Sequence, residues 1–342
     1  MKLKKIMSVL LCAAMTLSFA GCGSENEEVV TQGDSRYEKV TLKLSCTGTE
    51  IGNDTIAAML FAELMNERSG GNIKVNVFPN DQLGSGNQQK GLEQLLNGTV
   101  ELDIHSTSIV AALDNTLMVS TLPWIFDDYQ EAEDYFFGTG GEYVNSVLQT
   151  KGLRYLGATH NGFKAMTTSK NPIQSPEDLE GMKMRIPGGD FFAALYDTLG
   201  ASPQALPWAE VFTALQQNTI DGHDNSLSTI DSANIQEVQK YISISNHTYE
   251  AFNFMANEEK FSELSEATQE LIYECAEEAC RVVNQQTIET EKLLKEQFVN
   301  EFGCEIYEFT PEDIEEFKVV VNPLIEEYKA IYGEEACSAF GL

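Results

Sequence analysis

Positive charge is what this sequence has least of. Its 342 residues carry 22 Lys+Arg against 53 Asp+Glu, a formal net charge of −31. Nucleic-acid binding rests on Lys and Arg neutralising phosphates, and adhesion to anionic lipid needs basic residues too, so both are excluded as principal functions. Acidity of this kind is solubility chemistry and carries no information about fold. Histidine is confined to positions 105, 160, 223 and 247, and no Cys-x-x-Cys occurs, so nothing has metal-ligand spacing. No metal and no cofactor are expected. G-x-S-x-G, H-E-x-x-H and G-x-x-x-x-G-K-[ST] are all missing, and the glycine-rich spots at 84–86, 138–141 and 188–189 lack the strand-to-helix grammar of a dinucleotide site. The chain is therefore read as not an enzyme. A glycosidase built on two of its many acids is the catalytic reading left open.

Long apolar runs are missing as well. The run 6–19 is about fourteen residues, where a membrane-spanning helix needs roughly twenty. With Lys2, Lys4 and Lys5 before it and small residues after it, it matches a secretory signal. The segment ends Phe19-Ala20-Gly21-Cys22 and runs into a polar stretch. Small residues before a cysteine resemble a bacterial lipobox, with Phe19 where leucine is usual. The expectation is a lipoprotein signal peptide over 1–21, lipid attachment at Cys22, and a flexible tether over 22–38. An ordinary signal peptide with an incidental cysteine is the alternative. Two acyl chains would hold the protein stably at the outer face of the cell membrane or in the periplasm.

With Cys12 in the signal and Cys22 lipidated, Cys46, Cys275, Cys280, Cys304 and Cys337 remain, an odd number that leaves at least one thiol unpaired. A Cys304–Cys337 bridge is conceivable.

An apolar fraction of 42% is ample for a core, and the length beyond the tether suggests two domains. Alternation over 40–45 and 73–78 predicts strands, and the apolar face of 53–68 predicts a helix closed by Ser69-Gly70-Gly71. A helix over 88–96 and a buried strand over 102–106 complete an α/β unit with a largely parallel sheet. The pattern restarts after Gly152. Strands are predicted at 153–158, 164–168, 182–186 and 219–222, and helices at 191–199 and 208–217. From 266 to 298 there is neither Gly nor Pro, which predicts a helix long enough to span both domains.

The informative stretch is 182–225, M-K-M-R-I-P-G-G-D through L-G-A-S-P and P-W-A-E-V-F-T-A-L-Q to D-G-H-D-N. Arg185 lies on a strand just before a Pro-Gly-Gly break, so it is delivered at a strand's carboxyl end, where open α/β sheets bind ligands. A guanidinium there offers a planar fork for a carboxylate. A structural arginine paired with a neighbouring acid is the alternative.

The patterns K-x-R-x-P, L-G-A-x-P and P-W-x-E-V-x-x-A-L-Q-x-x-x-x-D-G-x-x-N resemble the solute-binding proteins of tripartite ATP-independent periplasmic (TRAP) transporters. The likeness extends to E-R-S-G-G at 67–71, L-P-W at 122–124, N-G-F-K at 161–164 and E-V-Q-K-Y at 237–241. It implies an α/β, two-domain periplasmic-binding-protein-like clamshell with a hinge and a long domain-spanning helix. Lobe I would comprise 39–160 plus about 251–290, and lobe II 161–250 plus about 291–342. The family's carboxylate-pairing arginine falls on Arg185, its aromatic wall residue on Trp208 and its ligand-binding asparagine on Asn225. Trp208 could instead be core, and Asn225 could simply shape a turn. Two departures stand out. A frequent second arginine is here Lys164, which keeps the charge without the fork and is expected to fix the carboxylate together with Arg185. An acid of amino-sugar binders is here Ser106, also expected at the ligand. Glu50, Asn53, Asp103 and His105 are further candidates for the cleft wall.

The resemblance implies capture of a small organic acid, with a C4-dicarboxylate as the default, and delivery to the integral membrane subunits of an ion-gradient-driven permease. A binding component of an ATP-driven importer, or a ligand sensor for a receptor kinase, is the alternative.

Overall fold

A computed structural model describes residues 35–342. The signal peptide, Cys22 and most of the expected tether lie outside the described residues. The chain opens with β1 (Val40–Cys46), α1 (Asn53–Arg68) and β2 (Ile73–Phe78), and β1 pairs with β2 in parallel. Asp54, Ala58, Phe61 and Met65 of α1 are buried at three- and four-residue spacing, one stripe facing the sheet. Next come α2 (Gln88–Leu96), β3 (Leu102–Ser106), α3 (Thr107–Val110), α4 (Tyr129–Phe136), α5 (Thr139–Gln149) and the eleven-residue β4 (Leu153–Phe163). A second series follows: β5 (Ala165–Thr168), β6 (Lys183–Ile186), α6 (Asp190–Thr198), β7 (Ser202–Ala205), α7 (Trp208–Gln216), β8 (Gly222–Asn225), α8 (Leu227–Ser232) and β9 (Tyr241–Ile244). The chain ends with β10 (Tyr249–Asn257), α9 (Glu258–Ser262), α10 (Glu266–Phe302), β11 (Glu305–Glu308), α11 (Pro311–Tyr332) and α12 (Glu334–Ala339).

Two sheets result, β2-β1-β3-β10-β4 and β11-β9-β5-β8-β6-β7. The chain crosses between them directly at two adjacent places, and a third time through the helices that link β10 to β11. Lys164 alone separates β4 from β5, and 245–248 separates β9 from β10, with the Lys164 N–H donating to the Thr248 carbonyl at 2.9 Å. This is the expected α/β clamshell. The expected long helix is α10, 37 residues that pack on α1 and β4 of the first sheet and on α8 and β11 of the second. Ser265 caps its first turn, and Gly303, at φ 68°, ends it in the left-handed conformation that glycine adopts without penalty.

Three expectations are corrected. The sheets are mixed, not largely parallel, because β10 runs antiparallel to both β3 and β4, and β5 antiparallel to β8 and β9. β10 arrives from the far sheet and is buried throughout, so it carries no alternation to read. The strand expected at 219–222 lies at Gly222–Asn225; these polar residues are buried because β5 and β6 pair on either side. The C-terminal helices, expected with the second lobe, sit astride: α11 packs on 115–121 and on α6, and α12 on α5. The five cysteines among the described residues are buried and unbridged, Cys304 and Cys337 included.

Gly222 is needed for that tight central pairing. A Cβ there would stand 2.3 Å from the Thr167 carbonyl oxygen and 2.9 Å from the Met184 sulfur. Gly222→Ala is expected to cost about 1–3 kcal/mol by overpacking, read as a lower urea midpoint at unchanged slope.

Among the described residues, no helix is long and apolar enough to cross a membrane, and no cluster of His, Cys, Asp or Glu has metal-site geometry.

Candidate ligand-binding cleft

The strand carboxyl ends and the sheet crossings converge on one cavity, of about 40 Å³, walled from both sheets. Arg185, Lys164, Trp208, Asn225 and Ser106 all line it, although they come from five separate stretches of chain.

Arg185 is buried on β6, opposite Gln204 of β7. Its Nε and Nη2 both donate to the Leu206 carbonyl, at 3.1 and 2.8 Å, and its guanidinium lies 5.5 Å from the Trp208 ring centre. One edge of the fork is thereby fixed, and the Nη1 edge is left with unused donors. Among the described residues no carboxylate lies within ion-pair distance of this guanidinium. Burial lowers its pKa to about 10, against the pull of Asp224 and Glu250. It stays charged at neutral pH, held in place and short of an anion.

Lys164 is in the opposite condition. Its Nζ lies 3.1 Å from Glu250 Oε2 and 3.6 Å from Asp224 Oδ1, and 4.4 Å above the Phe192 ring. Burial works against its charge, but Asp224 and Glu250 outweigh burial and raise the pKa. Asp224 also accepts from the Tyr196 hydroxyl at 2.8 Å and faces His247 Nε2 at 3.2 Å. Burial alone would push the Asp224 carboxyl up, yet Lys164 and these partners hold it well below the usual carboxylate range. Glu250 accepts from the Ser108 N–H at 2.8 Å. The lysine charge is thus already matched twice, whereas Arg185 has no carboxylate partner among the described residues.

Trp208 opens α7 at the cleft edge and is half-buried, packed partly on the core. Asn225 is on β8 opposite Ala165, in a strand and not a turn; its Oδ1 accepts from the Ser226 N–H at 3.1 Å. Ser106 ends β3, its Oγ 3.0 Å from Ser108 Oγ. Asn53 also lines the cleft, and Glu50 is exposed, bonded to Asn80. Asp103 and His105 do not line it. They form a buried cluster in which His105 Nδ1 meets Asp103 and Nε2 meets Asp81 at 3.0 Å. Sequence reasoning missed Asp54, Gln88 and Glu250, which line the cavity too. Nothing singles out three residues of such common types in so acidic a chain.

The two walls are linked by hydrogen bonds. Thr49 donates to the Ser232 carbonyl at 3.2 Å and Asn53 Nδ2 to Ser228 Oγ at 3.2 Å, while Asn53 is steadied within its own wall by the His160 carbonyl at 3.0 Å.

The family model described as "Bacterial extracellular solute-binding protein, family 7" matches residues 47–331. The chain belongs to this family. Its solute-binding relatives include the C4-dicarboxylate-binding protein DctB of Bacillus subtilis, 29% identical over 96% of this chain and 95% of that one. The 2,3-diketo-L-gulonate-binding periplasmic protein YiaO of Escherichia coli is 30% identical over 70% and 72% of the two chains. Among solved structures, the sugar acid binding protein of Advenella mimigardefordensis with galactonate superposes at TM-score 0.84, with 28% identity, covering 89% of this chain and 97% of that one. A TRAP periplasmic solute-binding protein from Shewanella oneidensis with bound succinate gives 0.83, also at 28% identity, covering 88% and 98%. This solute-binding protein is accordingly of the TRAP type, an extracytoplasmic transport component.

Proposed function

We propose that this solute-binding protein captures a small organic acid by its carboxylate on Arg185, and delivers it to the membrane subunits of an ion-gradient-driven permease. The observation that carries the reading is the buried, oriented Arg185 guanidinium with no anion of its own. A buried charge is costly unless paired, so the site is built for a carboxylate to complete. Trp208 holds the guanidinium plane from one side. Asn225 supplies its unused amide hydrogens from β8, and Ser106 a hydroxyl from the opposite wall. Lys164 tunes the field of the cleft from its ion pairs and does not itself grip the solute. The lobes, 39–160 with about 251–290 and 161–250 with about 291–310, part to admit the acid and close over it, while 311–342 bridges them. The solute shifts that equilibrium only by its preference for the closed state. A lipid on Cys22 would keep the protein in the same membrane as the permease.

Native mass spectrometry of the protein purified without refolding, with calorimetry of the acid it carries, tests this. A small acid is expected on the wild type. Arg185→Ala should weaken its binding by about tenfold to a hundredfold, the value of hydrogen bonds to a charged partner. A neutral or cationic solute, or binding unchanged in Arg185→Ala, overturns the carboxylate reading.

A further inference from the structure

The charges around the cleft narrow the chemistry of the acid, given the preceding reading that Arg185 takes a carboxylate. Lys164 is balanced by Glu250 and Asp224. A second carboxylate on the solute would therefore find no unmatched cation in this wall.

The wall contributed by the first sheet offers an acceptor instead. Asp54, in the first turn of α1, lines the cavity and has no exposed surface. Its Oδ2 accepts from the Gly48 N–H at 2.6 Å, whereas Oδ1 is buried with no hydrogen-bond partner among the described residues. A buried acceptor left without a donor costs about 1–3 kcal/mol, more when charged, and is a feature to be explained. The chain around it is pared to backbone. A Cβ at Gly48 or at Gly52, both of which also line the cavity, would stand 2.1 or 2.8 Å from Oδ1. The neighbouring Thr47 Oγ1 is likewise buried and unpartnered. Asn53 and Gln88 beside them line the same cavity and are neutral.

We propose that the solute is a hydroxy-monocarboxylate, its carboxylate on Arg185 and a hydroxyl donating to Asp54 Oδ1, and not a C4-dicarboxylate. A hydroxyl supplies the donor that Oδ1 lacks. A dicarboxylate would bring a second anion against Asp54 and Glu250, neither of which can donate to it when ionised. Burial raises the Asp54 carboxyl to about 6, so at pH 8 it is an ionised acceptor.

Calorimetry at pH 8 with the full chain decides it, using glycerate, D-erythronate and D-galactonate against butyrate and succinate. At least one hydroxy acid is expected to bind tenfold or more tightly than both butyrate and succinate. Asp54→Asn, which keeps an acceptor for the Gly48 N–H, should weaken that hydroxy acid by about tenfold relative to butyrate. Succinate binding as tightly as every hydroxy acid overturns the proposal, as does an unaltered preference in a folded Asp54→Asn. If that variant does not fold, the wild-type series decides alone. Arg185→Ala separates the two readings. Succinate preferred with Arg185 required removes only this inference; binding indifferent to Arg185 removes the carboxylate reading beneath it.

Discussion

Lys164→Met is expected to destabilise the protein by about 3–5 kcal/mol, the cost of removing one partner from a buried ion pair. The lysine sits where the chain passes from one sheet to the other. Its two carboxylates come from opposite sides of that crossing, Asp224 from β8 of the second sheet and Glu250 from β10 of the first. All three side chains are almost fully buried. Methionine fills much the same volume but leaves the two anions in a dry site without the ammonium that stood between them. Urea unfolding at pH 7 measures the loss. Adding Glu250→Gln to Lys164→Met should recover part of it, because one of the stranded charges is then gone. A loss below about 1 kcal/mol in Lys164→Met would mean that the pair does not hold the crossing together. The measurement also separates roles. A lysine that gripped the solute would cost affinity when replaced and leave the unliganded protein's stability nearly untouched.

The second large effect is a stability maximum near pH 7, set by buried histidines of opposite sign. Burial lowers His160 and His223 to about 3. Below about 6.5 the unfolded chain takes up protons on these rings that the folded one refuses, so stability falls with pH. Each ring contributes roughly 3 kcal/mol of loss by pH 4. Burial likewise lifts Asp54 to about 6, where the folded state binds the extra proton, and this offsets about 2 kcal/mol over the same range.

His105 acts in the other direction. Burial disfavours its charge, but Asp103 and Asp81 overcome burial and raise it to about 10. Its stabilisation is complete below 6.5 and is lost as pH climbs towards 10. Taken together, unfolding free energy should be about 3 kcal/mol lower at pH 4 than at pH 7, and about 2–3 kcal/mol lower at pH 9. Urea midpoints across that range, repeated on His223→Gln to remove one share of the acid limb, provide the check. A profile flat from pH 4 to pH 9 would overturn the assignment of these charge states.

Much of the first lobe was legible residue by residue. The 53–68 and 88–96 helices and the 73–78 and 102–106 strands stand where periodicity placed them, because each is a local unit whose apolar spacing matches its own geometry. Arg185 at a strand end and Trp208 opening a helix were equally readable, since an arginine before Pro-Gly-Gly and a Pro-Trp turn are local signals. β8 and β10 were not. Gly222-His223-Asp224-Asn225 is a strand only because two others flank it, and β10 is buried along its whole length by partners about ninety to one hundred and fifty residues earlier.

The sequence by itself determined the α/β class, the helix that spans both sheets and the arginine near a strand's carboxyl end. These follow from the spacing of apolar residues and from the short turns that end each element. Which of the acids matter was decided only by the tertiary structure. Glu250 and Asp224 are neighbours of Lys164 solely because two strands cross between sheets side by side, and Asp54 reaches the cleft from the first turn of α1. A charge's effect depends on distance and on the water around it, and neither is written in the order of the residues.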